Sequence, residues 1–241
     1  MQSAVSGTDT ELRAEDALRA ALRLGESVLV VGEVRGEEAR TLYEAMRVGA
    51  AGNSVMGSIH GATARDVFDR VVNDLGITSS SFKATEAIIV AAPIRTRGGI
   101  SRARRLVQIT EVRRGWRNDP VAEGGFENLM YYDYGADGLK PARALRGGKS
   151  ELVASIARKW GVTTHEVIYN LEFRAKMQEG LVAEAALLNR PELLEAGFVV
   201  RSNMAWHTLL EEQLKRGRTD YRGLLKSWRA WLLRSTRDQG A

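Results

Sequence analysis

Ala17, Leu18, Ala21 and Leu22 recur at helical spacing and predict a helix over 14–24, with Gly25 where a C-cap glycine would stand. Val28–Val31 is a short aliphatic run, the signature of a strand buried on both faces of a parallel sheet. Glu37 and Glu38 then fall in the first turn of a predicted helix whose apolar face is Ala39, Leu42, Tyr43 and Met46, closed by Gly49. A second strand is predicted over 53–59. Thr63 with Asp66 three residues on forms a capping-box pattern that opens a helix with Val67, Val71 and Leu75 inward and Gly76 beyond its end. Strand, helix, strand, helix in this order predicts a parallel α/β sheet with right-handed crossovers.

Past Gly76 the periodicity turns to strands: 87–92, 105–112, and a pair flanking the turn at Gly135–Gly138, which we read as extending the same sheet. From Ser150 onward the spacing is helical, with breaks at Gly161, around Asn189–Pro191 and at Gly217. Trp160, Trp206, Trp228 and Trp231 lie in this part, where buried aromatics would supply much of a small helical core. The boundary is placed near Leu145, giving domains 1–144 and 145–241.

Of the 241 residues, 44% are hydrophobic and 27% charged, enough apolar material for packed cores. There is no cysteine, which removes disulfides, thiolate metal sites and cysteine nucleophiles, and His60, His165 and His207 are too scattered to suggest zinc. The longest apolar stretch, 87–94, is far short of the roughly 20 residues of a membrane helix. The polar N-terminus has no signal-peptide core, so the protein is expected to be soluble and intracellular. The net charge of +5 comes from charges of both signs mixed along the chain and points only weakly to phosphates or acidic lipid.

Chemistry is concentrated in V-L-V-V-G-E-V-R-G-E-E-A, residues 28–39, and N-S-V-M-G-S-I-H, residues 53–60. In open α/β sheets ligands gather at the carboxyl ends of the strands. Glu33 and His60 follow two such ends, so neighbouring parallel strands about 4.8 Å apart would bring a carboxylate and an imidazole to one site. For phosphoryl transfer these are useful groups: a carboxylate orients water or a hydrated magnesium ion, and a donor contacts the terminal phosphate. Gly32 would let a ligand approach the backbone.

An apolar strand ending in G-E-V-R, then a helix, then a strand ending in S-I-H resembles the Walker B and histidine boxes of the secretion ATPase superfamily, which serves type II and type IV secretion, type IV pili and archaeal surface filaments. The phrase L-R-L-G-E-S-V-L-V-V-G-E-V-R-G-E-E-A, with P-E-L-L-E-A-G-F-V-V-R-S-N at 191–203, is most similar to the archaeal type II/IV branch. The resemblance implies a fold that is α/β, a partial RecA-like P-loop ATPase core followed by a helical C-terminal domain. It also implies a homo-hexameric ring with ATP and Mg2+ between subunits, on the cytoplasmic face of a membrane platform protein. By the same resemblance Glu33 is the Walker B glutamate that positions water and holds magnesium through it, His60 contacts the γ-phosphate, and Arg35 forms an ion pair. Gly32 is then a nucleotide-binding position, and no nucleic acid is expected as a partner.

One part of that pattern is missing. A P-loop requires G-x-x-x-x-G-K-[ST] after a strand, because its backbone N–H groups and lysine hold the phosphates. Gly148, Lys149 and Ser150 imitate only the last three residues; Arg143 stands where the first glycine should be, no apolar strand leads in, and Ser150 reads as an N-cap. The chain therefore looks like the C-terminal half of such an ATPase, with Met1 an internal start or a split or truncated gene, and an upstream P-loop polypeptide as an expected partner. Alone it should bind nucleotide weakly or not at all, and Val28–Val31 should expose an edge or an apolar patch.

Two other classes stay open. Residues 157–171 have helix-turn-helix spacing, with Thr163 and Glu166 opening the second helix, but that helix begins with Thr164, His165 and Glu166 rather than basic donors, which favours a packed hairpin over DNA binding. The other class is a non-hydrolysing ring or scaffold partner. The basic run Arg95–Arg105 is read as a polar hairpin or a surface for acidic neighbours, His165 and His207 as partly buried, and Glu37/Glu38 and Glu211/Glu212 as solvated helix faces.

Overall fold

The computed structural model describes residues 16–17, 20, 28–48, 54–95, 100, 102–217 and 219–237. The helix predicted over 14–24, Gly25, Gly49 and the tip of the basic hairpin lie outside the described residues or almost wholly so. The chain divides into two compact units, 1–152 and 153–241.

In the first unit, β1 (Val28–Val31) pairs in parallel with β2 (Ser54–Gly57), joined by helix α1 (Glu38–Val48). Ala39, Leu42 and Tyr43 on α1 are buried as the spacing predicts, and Ala45 joins them. Helix α2 (Ala64–Asp69) is opened by Thr63, whose hydroxyl accepts the Asp66 N–H. The Asp66 carboxylate accepts from Ala62 N–H at 3.2 Å, so the reciprocal half of the box is displaced by one residue. The helix continues through a π turn, Arg70–Asp74, and ends at Gly76, whose φ of +68° is the left-handed conformation glycine adopts freely; a one-turn helix α3 (Ser79–Phe82) follows.

The later strands correct one expectation. They do not extend the parallel sheet but form their own antiparallel sheet, in the order β3 (Ala87–Arg95), β4 (Arg102–Val112), β5 (Phe126–Asp133), β6 (Gly138–Pro141). Short hairpin connections dictate this for β3–β4 and β5–β6, since parallel pairing needs a long crossover. At the β5–β6 turn Asp133 accepts the N–H of Gly135 and Ala136, and Asp137 takes φ +49° while pairing with Arg105 of β4 at 2.7 Å. Phe68, Phe82, Trp116 and Phe126 meet edge to face in a core shared with α1, α2 and β3.

The second unit is helical. Helix α6 (Thr164–Leu187) begins with the predicted Thr163–Glu166 capping box, and is followed by α7 (Ala196–Lys215) and α8 (Tyr221–Arg237). Two shorter helices, α4 (Arg143–Arg146) and α5 (Glu151–Trp160), precede it, and a 3-10 turn at Pro191–Leu194 separates α6 from α7. The breaks fall where left-handed residues stand: Gly161, Asn189 and Gly217. Trp206 and Trp228 are buried and Trp231 packs partly against them, but Trp160 is 58% exposed and adds nothing to this core. His165 and His207 are exposed rather than partly buried.

Candidate functional site

The site is built where the chain leaves β1 and β2. The register Val31↔Gly57 places the two strand ends side by side, and Val34 N–H donates to the Ser58 carbonyl at 2.9 Å, which carries the pairing past the strands themselves. The Ser58 hydroxyl donates to the Gly32 carbonyl, tying the two exit loops together. Glu33 and His60 therefore leave adjacent backbones on the same edge.

Glu33 Oε1 lies 2.8 Å from His60 Nε2 and 2.5 Å from Arg35 Nε. This oxygen is shut off from solvent between the two side chains yet makes no well-aligned hydrogen bond, while the Glu33 side chain as a whole is 33% exposed, Arg35 70% and His60 83%. The Arg35 guanidinium beside it is the strongest influence on the Glu33 carboxyl and holds it below the usual carboxylate range. Partial desolvation opposes this, and the proximity of His60 adds to the lowering. The arrangement is an ionised carboxylate flanked by a guanidinium and an imidazole, both open to solvent on their far sides.

Glu38 supports it from below. Its carboxylate accepts Arg35 N–H at 2.6 Å and Gly36 N–H at 3.0 Å, fixing the turn that carries Arg35. Burial raises the Glu38 pKa, but the backbone N–H donors outweigh it and the net shift is downward. The expectation of a solvated face is thus wrong for Glu38: it caps the entry to α1. Gly61 holds the other side. A Cβ there would lie 2.7 Å from Val67 Cγ2 and 3.1 Å from Val67 N, so glycine lets the loop after His60 pass under α2. Over Gly32 a Cβ would meet nothing, leaving open space beside Glu33.

Sequence reasoning missed Glu111. From β4 its buried carboxylate accepts the Ser150 hydroxyl and the N–H groups of Glu151 and Leu152, each at 3.0 Å, at the N-terminus of α5. The helix that follows the G-K-S imitation thus already has an anion at the place a phosphate would take. Its nearest signal in the sequence is a glutamate inside an otherwise apolar strand end.

Among the described residues no group of three or more His, Cys, Asp or Glu side chains is placed to hold a metal ion. The donor set at Glu33 fits magnesium only through water, with a phosphate supplying the other oxygens. It fits a terminal phosphate, through His60, Arg35 and the open backbone at Gly32, and offers no cradle for a whole triphosphate.

Residues 1–118 match the family model described as type II/IV secretion system protein. Similar chains include the uncharacterized protein MJ1287 of Methanocaldococcus jannaschii, 28% identical over 181 residues, covering 75% of this chain and 63% of that protein. The uncharacterized protein MJ0900 of the same organism is 26% identical over 170 residues, 70% of this chain and 29% of that protein. The chain thus spans less than two thirds of the length of these relatives. No described helix is long and apolar enough to cross a membrane.

Proposed function

We propose that this chain is the Walker B half of a secretion or pilus-assembly ATPase of the archaeal type, working in a RecA-like hexameric ring on a membrane platform protein. The observation that carries the reading is the Glu33–His60 contact at 2.8 Å, made by residues from two parallel strand ends beside an open glycine backbone. Mg2+ and ATP, when bound, supply the phosphoanhydride to be cleaved and the charge that shields it. Glu33, kept ionised by Arg35, orients a water through its carboxylate. His60 donates toward a terminal phosphate oxygen, and exchanging its Glu33 contact for that oxygen links the presence of phosphate to the position of the loop after β2. Arg35 holds the carboxylate and does not react.

These residues address one phosphate, and no G-x-x-x-x-G-K-[ST] occurs in the 241 residues. Tight nucleotide binding therefore requires a P-loop from elsewhere, and the chain by itself binds weakly, in the millimolar range of about −4 kcal/mol. The helix-turn-helix alternative is not favoured: buried Val167, Phe173, Met177, Leu181 and Ala185 show that α6 turns a long apolar stripe inward. Titration with Mg2+ and the slowly hydrolysed analogue ATPγS, followed by backbone NMR, tests the reading. Shifts should centre on Gly32, Glu33, Arg35 and His60 and vanish in His60→Ala. Micromolar binding would overturn the requirement for an outside P-loop, and shifts centred elsewhere would overturn the site.

A further inference from the structure

Helix α8 carries an unbalanced charge. It contains Arg222, Lys226, Arg229, Arg234 and Arg237 and no carboxylate, whereas every other described helix of ten or more residues includes Asp or Glu. All five cations are exposed, and among the described residues none is ion-paired. Arg222, Lys226, Arg229 and Arg237 fall with the exposed Leu233 on one line of the helix, at steps of three or four residues. Beside this line a groove of about 540 Å³ runs between α7 and α8. Its lining is mostly small, Ala205 and Thr208 from α7 and Ser227 and Ala230 from α8, with Trp231 and Arg234 on the α8 side. The Trp231 ring is steadied by Phe198, their centroids 5.9 Å apart. On α7, Met204 beside Ala205 and Val200 one turn earlier are exposed and apolar.

A row of cations along one lip of a largely apolar groove is matched by a ligand that is anionic and apolar at once. Nucleic acid satisfies the row but places no apolar side chain in the groove. A flat anionic bilayer meets the row without filling a recess between two helices. An amphipathic helix offers both characters on adjoining faces, and its carboxylates repeat with the same period as the row. Trp and Arg, the residues that most often dominate interface energies, both stand at the groove. We propose that this face of α7 and α8 is a docking surface for an acidic amphipathic helix of a partner protein. Its apolar stripe enters the groove beside Met204, and its carboxylates face the row on α8. The row spans about 22 Å at 1.5 Å per residue, room for about four turns of partner helix. Polarity follows from α7. Asp220 N–H donates to Gln213 at 2.8 Å, which puts Glu211 and Glu212 toward the Arg222 end. The partner's carboxylates are therefore concentrated at the other end, opposite Arg229, Arg234 and Arg237. The inference rests on the helical unit and not on the nucleotide reading.

The probe is a fluorescein-labelled peptide of Glu, Leu and Ala, about 15 residues long, with its leucines at helical spacing. Two comparison peptides carry Gln in place of Glu, or the same residues in an order that breaks the spacing. Anisotropy with the 241-residue chain should show the first binding at least tenfold more tightly than either, with affinity falling as NaCl is raised. Backbone NMR should place the largest shifts at Ala205, Thr208, Ala230 and Leu233. The double variant Arg229→Glu with Arg234→Glu, and separately Ala230→Trp, which fills the groove, should each weaken binding tenfold or more. Far-UV circular dichroism and an unchanged thermal midpoint show that these variants are folded, and the peptide comparisons stand without them. Equal binding of the Gln peptide or of the reordered one, or shifts centred outside α7 and α8, would overturn the proposal. So would tighter binding of duplex DNA or of phosphatidylglycerol vesicles at the same salt, or self-association that buries the row, which assigns the face to a second copy. None of these outcomes bears on whether Glu33 and His60 bind phosphate.

Discussion

Glu111 Oε2, buried at the end of β4, lies 3.0 Å from the backbone nitrogen of Leu152 in the first turn of α5, and its partner Oε1 lies at the same distance from that of Glu151. One side chain thus satisfies two helix-terminal N–H groups that have no partner within the helix.

Replacing Glu111 by alanine strands those donors and the Ser150 hydroxyl. Glu111→Ala should cost about 2–3 kcal/mol in urea unfolding of the first unit, and Glu111→Gln, which keeps one acceptor, roughly half as much. Equal stability of Glu111→Ala and wild type would show that the capping contacts are not made in solution.

The ionisation of Glu33 offers a second measurement. Its folded-state pKa is depressed below the ordinary 4.5, chiefly by the Arg35 guanidinium beside it. A depressed carboxyl contributes stability that is present above the unfolded-state pKa and lost as pH falls through the folded value. Side-chain carboxyl NMR should show Glu33 titrating upward toward the ordinary value in Arg35→Ala, and by a smaller step in His60→Ala. A Glu33 midpoint indifferent to Arg35 would remove the ion pair from the site.

Two glycines next to the site should separate packing from access. Gly61→Ala drives a Cβ into Val67 and should cost about 1–3 kcal/mol, with shifted resonances at His60. Gly32→Ala meets no atom and should leave the midpoint within about 0.5 kcal/mol, so that any loss of phosphate contact it causes reports on the approach of a ligand.

In the helical unit, Trp228→Ala removes a fully buried ring whose Nε1 donates to the Ser202 carbonyl, and should cost about 3–5 kcal/mol. Trp160→Ala should cost well under about 1 kcal/mol, because that ring is mostly in solvent. Thermal unfolding of the two variants gives the ranking directly.

The sequence made local features readable and long-range pairings hard to read. Thr63, Thr163 and Glu166 announced their helix starts because capping acts within three residues. The apolar spacing of Ala39, Leu42 and Tyr43 announced the buried face of α1 for the same reason of short range. The convergence of Glu33 and His60 was legible because two adjacent parallel strands leave few options for where their ends lie. The sheet assignment of β3 was not: Ile88 and Val90 are buried and Ile89 exposed, an alternation that fits several pairings, and the partner strand is chosen by hairpin geometry. Glu38 and Glu111 escaped because a carboxylate in the sequence looks the same whether water or a backbone N–H solvates it.

The carboxylate under α5 also bears on Gly148–Ser150. A helix end is a charge receptor with a single vacancy, and in this protein an internal side chain has taken it. Sulfate or nucleotide offered to that end would have to evict Glu111 into water first, so a lysine and a serine followed by a helix here act as punctuation between structural units and not as a grip on phosphate.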